Sequence, residues 1–231
     1  MILAAHQPQY LPWLGYFDKM ARADRFVLLD TVQYKKNEWQ NRNRIRTARG
    51  WQWLTVPVHA RYPCRFDEVE ADETAPWRRK HLATLRQAYA RAPHRETILP
   101  ALERLLQRPL RRLAELNIEG IRLLADLFEV RTETILASSL AGIPEGPDAR
   151  LIALCRRFGA DQYLAGAGGR DYMDLAAWRR AGITVTFQEF HGPVYAQCHP
   201  GFEANLSAVD YLVHCGPGPI LGTAAPLREA A

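Results

Sequence analysis

The sequence predicts an α/β protein built on a mainly parallel, Rossmann-like sheet with a helical insertion in the middle of the chain. Three observations carry that expectation. Residues 1–33 read as strand, loop, helix, strand, a βαβ unit whose two strands run parallel and whose crossover is right-handed. The same alternation returns over residues 132–190. Between them, about residues 76–130 are helical in tone and rich in arginine.

Each element has its own warrant. "MILAA" is a short apolar run that stops at His6-Gln7-Pro8, so it reads as a buried strand ending in a loop. Leu14, Phe17, Met20 and Ala21 recur at helical spacing, which starts a helix near Pro12. "RFVLLDTVQ", residues 25–33, is a β-branched and aromatic run and reads as the second buried strand. Residues 34–50 are too polar and irregular for a core element, whereas "WQWLTVPV" (51–58) alternates like a strand, at a sheet edge if Pro57 lies inside it. In the middle block, a proline near N1 opens "PWRRKHLATLRQAYARA", and Pro109 starts a further helix. Strands follow at 132–139, 161–166 and 183–190, with helices at 146–159, 170–182 and 205–216. Gly159 and Gly182 end the first two of these helices and Ser207 caps the third. One domain is expected over 1–223, followed by a disordered tail over 224–231.

Composition narrows the class. At 231 residues and 48% hydrophobic the chain can bury a full core. No 18-residue apolar run is present, so no membrane span is expected. The first residues lack the basic and apolar regions of a signal peptide, which makes the cytoplasm the expected location. Cys64, Cys155, Cys198 and Cys215 form no CxxC pair, and Cys198-His199 with His214 and Cys215 fits no standard zinc spacing. No metal site is expected. The formal charge is +5, concentrated in residues 35–50 and 78–112. Clustered arginine binds phosphates or forms a solvated helix face.

Chemistry is expected where loops leave the carboxyl ends of parallel strands, the place where open sheets bind ligands. Four polar, aromatic or glycine-rich loops share that rim. After the first strand, His6 is either an acid, base or phosphate donor or a turn residue packed on Tyr10 or Trp13. Gln7 is placed to orient a substrate, and Tyr10 and Trp13 either wall a pocket or belong to the core. After the second strand comes Asp30, a carboxylate too costly to bury unpaired and therefore a catalytic base, an orienter or a member of a hydrogen-bond net. With it come Gln33, Lys35, Trp39, Asn41, Arg42 and Asn43, in which amides read hydroxyls and carbonyls while Lys and Arg clamp anions. "GAGGRD" supplies Gly166, Gly168, Gly169 and Arg170 as an anion site or a plain tight turn, and it is neither a Walker A nor a GxGxxG motif. "HGPVYAQCHPGF" adds Tyr195 and Gln197 on a proline-stiffened loop.

"HQPQYLPWLGYFDKM", "DTVQYKKNEWQNRNRI", "WLTVPV", "YLAGAGGRDYMD" and "FEANLSAVDYLVHCG" together resemble the WbqC-like family from about residue 3 to residue 216. That resemblance implies a part in surface polysaccharide or O-antigen synthesis, with an activated sugar or its acyl group as the thing modified. The first βαβ unit also resembles that of nucleotidylyltransferases and pantothenate-synthetase-like enzymes. There a histidine-bearing loop meets ATP phosphates at a helix N-terminus, although here Trp13-Leu14-Gly15-Tyr16 stands where the second histidine of HxGH would be.

The expected activity is a transferase or ligase acting on a nucleotide-activated or amino-sugar substrate. Its catalytic residues would be His6 and Asp30. The cofactor stays open, with ATP or a nucleotide-sugar plus Mg²⁺ as the candidates. Two alternatives stand beside it: an aminoacyl or acyl transferase using charged tRNA or a carrier-bound donor, supported by the Arg-rich helices, and a non-catalytic binding component of a polysaccharide assembly system.

Overall fold

Strand β1 (Ile2–His6) lies in the middle of the sheet, hydrogen-bonded to a parallel neighbour on each side. Its small apolar residues explain the position: Ala4 packs into the core on one face of the sheet, and Leu3 and Ala5 into the core on the other. A strand buried on both faces needs a continuous apolar run rather than an alternating one. The computed structural model describes residues 1–220 and the backbone of Arg228–Glu229.

Helix α1 (Leu14–Ala21) carries the chain to β2 (Arg25–Leu28). A long excursion then passes through hairpin β3 (Arg42–Thr47)–β4 (Gly50–Thr55), the short pair β5 (Val58–His59) and β6 (Glu70–Ala71), and three helices. These are α2 (Trp77–Ala88), α3 (Arg95–Gln107) and α4 (Leu113–Leu127), and the excursion ends at β7 (Glu133–Leu136). The rest runs α5 (Pro147–Phe158), β8 (Gln162–Ala165), α6 (Leu175–Arg180), β9 (Thr184–Phe187) and α7 (Ala208–Cys215), with β10 (Arg228–Glu229) last.

The sheet order is β10-β9-β8-β1-β2-β7. Five of these strands are parallel, and β10 pairs antiparallel with β9. Numbered by appearance, the parallel five read 3-2-1-4-5 from the β7 edge, the doubly wound order. The expected fold class holds. α1, the three middle helices and α7 pack on one face, and α5 and α6 on the other. The direction of winding therefore reverses between β1 and β8.

Several expectations change at the level of elements. Strand 25–33 ends at Leu28, and the remainder is loop. Residues 34–50, expected to be irregular, contain β3, and 51–58 contributes β4 as its antiparallel partner, outside the main sheet. Pro57 lies beyond β4 and breaks no ladder. α2, α3 and α4 fill the expected helical block, but they share one continuous core with α1 and α7, so their packing does not set them apart as an insertion. The helix expected over 170–182 is a 3-10 turn (Ala167–Asp171) followed by α6. Asp174 caps α6 by accepting the N–H groups of Ala176 and Ala177, which starts the helix at Leu175. α5 begins with Pro147 at its first turn and ends at Gly159 with φ 68°, a left-handed position glycine adopts without strain. The tail expected over 224–231 lies outside the described residues, apart from the backbone of β10.

Loop 7–13 is held by side-chain amides. Asn43 Nδ2 donates to Tyr10 O (3.2 Å) and Leu11 O (2.7 Å). Asn117 Nδ2 donates to Pro8 O (3.2 Å) and Gln40 O (2.7 Å). Replacing Asn43→Ala strands two buried carbonyls, and leaving such groups unpaired costs about 1–3 kcal/mol. We expect a urea midpoint lowered accordingly with no change in the slope; an unchanged midpoint would show that this clamp carries no stability.

Candidate functional site

The strand order locates the topological switch point. In doubly wound sheets, ligands bind outside the carboxyl ends of the strands where the winding reverses. Here that point lies between β1 and β8. The last paired positions are Ala4 and Leu164, so two residues on, His6 stands level with Gly166. Two sequence-expected groups thus flank the switch point: His6, and the glycine turn containing Gly166, Gly168 and Gly169.

His6 is half-buried, its ring 5.0 Å from that of Tyr16. Its Nδ1 lies 3.0 Å from Gln7 O. A carbonyl can only accept, so Nδ1 carries the proton and Nε2 is a bare lone pair. Among the described residues Nε2 has no partner. Burial, reinforced by the Lys19 ammonium, pulls the His6 pKa down to about 4, against the raising effect of the Gln7 bond. At neutral pH it is an uncharged ring whose Nε2 can accept a hydrogen bond, which fits a base among the expected roles better than a charged phosphate donor.

Lys19 is the residue that sequence reasoning missed. It sits on α1 at 3% exposure and donates from Nζ to Ala5 O at 2.9 Å. Burial brings its pKa down to about 7, so at physiological pH the amine is part neutral. Beside it, Asp18 accepts from Arg22 Nε (2.8 Å) and Gln188 Nε2 (2.7 Å), and Gln188 also donates to Gly15 O (2.7 Å). A polar layer therefore runs beneath the switch point on the α1 face. Its sequence signal was slight, because a lysine following an aspartate on a short helix normally reads as solvated.

On the other flank, a Cβ added at Gly166 or Gly168 would meet nothing within 4 Å, whereas one at Gly169 would strike Met173 Sδ at 2.9 Å and Phe187 at 3.1 Å. Space beside the first two glycines is open, while Gly166 O accepts the Gly169 N–H at 2.9 Å, and the third glycine lets the turn pack on β9. Arg170 lies over the Phe187 ring at 4.5 Å with Glu189 at 3.6 Å.

The α1 N-terminus does not match the nucleotidylyltransferase likeness. A Cβ on Gly15 would lie 2.4 Å from the Trp13 indole. The indole therefore covers the first turn of α1, where a phosphate would have to sit. Trp13 in turn packs edge-on to Phe190 at 5.3 Å.

Other expected site residues are engaged within the fold. Tyr10 is 1% exposed and its hydroxyl bonds His81 Nδ1 at 2.9 Å. Asn41 donates to Val56 O (3.1 Å), and Asn43 clamps the first loop. Tyr195 Oη and Gln197 Nε2 both donate to Asp210 Oδ2, at 2.7 and 2.9 Å, which ties their loop to α7. Asp30 accepts the Ser138 N–H at 2.9 Å, joining the ends of β2 and β7 one strand away from the switch point. Gln7 is half-buried, Gln33 and Lys35 are exposed, and Trp39 and Arg42 belong to the β3–β4 hairpin surface. Among the described residues no group of three or more His, Cys, Asp or Glu side chains is placed to hold a metal. No helix among the described residues is long and apolar enough to cross a membrane.

Fold and site define a doubly wound α/β protein with a histidine and a buried lysine at its switch point. The chain belongs to the WbqC-like protein family, whose pattern matches residues 7–220. It is 34% identical over 219 residues to "Uncharacterized protein Rv1507c" of Mycobacterium tuberculosis (strain ATCC 25618 / H37Rv), covering 93% of this chain and 94% of that protein. No solved structure matches.

The His6 pKa sets a pH dependence. The unfolded ring takes its proton near pH 6.5 and the folded ring only near 4, so stability present above pH 6.5 is lost as pH falls towards 4. His81, also lowered to about 4 by burial, acts in the same sense. We expect ring C–H resonances of His6 to titrate near pH 4 by NMR, and His6→Gln to weaken the acid-side loss. A midpoint near 6.5 would contradict the buried setting.

Proposed function

We propose that the protein is an enzyme of transferase or ligase type, acting on a nucleotide-activated or amino-sugar substrate in surface polysaccharide synthesis. The observation that carries this reading is the unpartnered Nε2 of His6 at the switch point, level with Gly166, beside which an added Cβ would meet nothing within 4 Å. Family membership supports the process, and the local geometry supports the chemistry.

In this reading an acceptor amine or hydroxyl donates its hydrogen bond to His6 Nε2, which aims its lone pair at the electrophilic centre of the activated partner. As the new bond forms, the proton passes to Nε2, and it is returned to the leaving group. A resting pKa of about 4 makes a weak base. A negatively charged substrate alongside would stabilise the imidazolium and raise that basicity, so His6 would become a competent base only when the site is filled. Lys19 would supply positive charge behind the imidazole and position it. Asp30 would act at one remove, by fixing the loop after β7. Arg170 would lend a cation on the β8 side.

The test is a thermal-shift panel of nucleoside triphosphates, nucleotide-sugars and amino acids, followed by turnover with whichever binds. A ligand at 100 times its Kd stabilises by about 2.7 kcal/mol, a readily measured shift. We expect a nucleotide-sugar to raise Tm, and His6→Ala to abolish turnover while keeping the shift. No stabilisation by any member, or full turnover by His6→Ala, would overturn the reading and favour a non-catalytic binding component.

A further inference from the structure

The strongest surface feature outside the switch point is the outer row of the β3–β4 hairpin. Register pairs Arg42 with Thr55, Arg44 with Trp53 and Arg46 with Trp51, and alternation puts all six on one face. The opposite row holds buried Asn43, Ile45 and Leu54 beside exposed Gln52, and in the outer row Arg46 is itself buried, donating to the Gly50 and Pro200 carbonyls. Trp51 is 42% exposed, and Trp53 and Trp39 are half-exposed with their rings 5.4 Å apart. Arg42 lies over Trp53 at 4.2 Å. Arg44 lies among Trp39 (5.5 Å), Trp51 (5.1 Å) and Trp53 (5.9 Å).

The basic residues of this face have fewer acidic partners than those of the middle helices. There Arg78 pairs with Glu73, Arg86 with Glu103, Arg95 with Glu96, and Arg108 and Arg122 with Glu119, while among the described residues Arg79, Arg91, Arg104 and Arg111 have no carboxylate within 4 Å. Among the described residues, neither Arg42 nor Arg44 has a carboxylate within 4 Å, and the Nε of each is buried without a hydrogen-bond partner. Exposed Lys35 and Lys36 precede β3 in the adjoining loop, and among the described residues neither has an acidic partner. Residues 31–66 hold Lys35, Lys36, Arg42, Arg44, Arg46, Arg49, Arg61 and Arg65 against Glu38 as the one acid.

We propose that this face binds a single-stranded nucleic acid. Indole rings supply stacking surfaces that any base can use, and guanidinium groups between them take phosphates, which is how sequence-tolerant single-strand sites are built. Arg42 and Arg44 stand about 7 Å apart along β3, a spacing that an extended single strand can follow. A duplex hides its base faces and gains nothing from the tryptophans. An acidic peptide would use the cations but leave the rings unstacked. The face adjoins the switch point: Trp39 O accepts the Tyr10 N–H at 2.9 Å, and Asn43 holds the Tyr10 and Leu11 carbonyls. The inference does not rest on the switch point being catalytic.

The experiment is fluorescence anisotropy of the full chain with a labelled, mixed-sequence 12-nucleotide RNA. The matching DNA strand, the RNA duplex and a poly-glutamate peptide serve as competitors, and salt is varied. Single strands should bind, with affinity falling log-linearly in salt. Trp51→Ala should weaken binding about 5- to 150-fold, the range of one lost stack. Arg42→Ala should reduce the salt slope by about 0.7, while Arg86→Ala, which removes a paired arginine, should change neither. Relative affinity for RNA and DNA then reports whether the 2′-hydroxyl is read. Trp51 is an exposed position, and circular dichroism of Trp51→Ala confirms the fold. No binding at low salt, equal competition by duplex or peptide, or wild-type affinity in both Trp51→Ala and Arg42→Ala would overturn the proposal.

Discussion

The structure depends on how loop 7–13 is held. With Pro8 and Pro12 inside it, the loop lacks two backbone donors and cannot form a regular ladder of its own. Its carbonyls must still be satisfied, because buried orphans are expensive. Asn43 and Asn117 supply the donors, and the Tyr10 N–H closes the ring by donating to Trp39 O. This one set of bonds fixes three things together: the exit of β1 that aims His6, the seat of the hairpin, and the approach of α4, which carries Asn117. None of them is adjustable alone.

The same loop determines what the switch point can bind. In most doubly wound folds a short turn joins β1 to the first helix, and phosphate sits on the exposed helix N-terminus. Here the longer loop lays the Trp13 indole over Gly15, so the anion-attracting end of α1 is closed. What remains is the histidine on one side and, on the other, a glycine turn with space beside Gly166 and Gly168. The site inherits the position of a dinucleotide fold without its phosphate cradle, which fits the absence of the GxGxxG and Walker patterns from the sequence.

Much of the frame was legible in the sequence because it rests on strong local signals. The apolar run before His6, the glycine after α5 and the serine before α7 each do what their chemistry predicts. The hairpin was not legible. In "RNRIRT" the outer row is arginine and the inner row mixes Asn43 with Ile45, so the period-2 pattern is masked by a buried amide. That amide also misled the functional reading. Asn41 and Asn43 have the residue type of substrate readers, but their hydrogen bonds go to the protein's own backbone. Likewise, the arginines of the middle block read as a nucleic-acid face, but Arg78, Arg86, Arg95, Arg108 and Arg122 pair with glutamates on neighbouring turns and helices. Charge pattern along a chain does not reveal which charges meet in space. Lys19 was hidden for a related reason, since α1 is buried nearly all round and no helical periodicity reports that.

His6 and Lys19 constrain one another electrostatically. Each is held towards its neutral form by burial, and the Lys19 charge lowers the His6 pKa further. A protein gains no stability from such a pair: around neutral pH both groups bind fewer protons folded than unfolded, so folding is taxed as pH falls. The tax would be relieved by an anion at the switch point, because negative charge favours the protonated form of both. By linkage, an anion that bound there would draw protons onto the pair, and would bind more tightly as pH fell from the Lys19 pKa near 7.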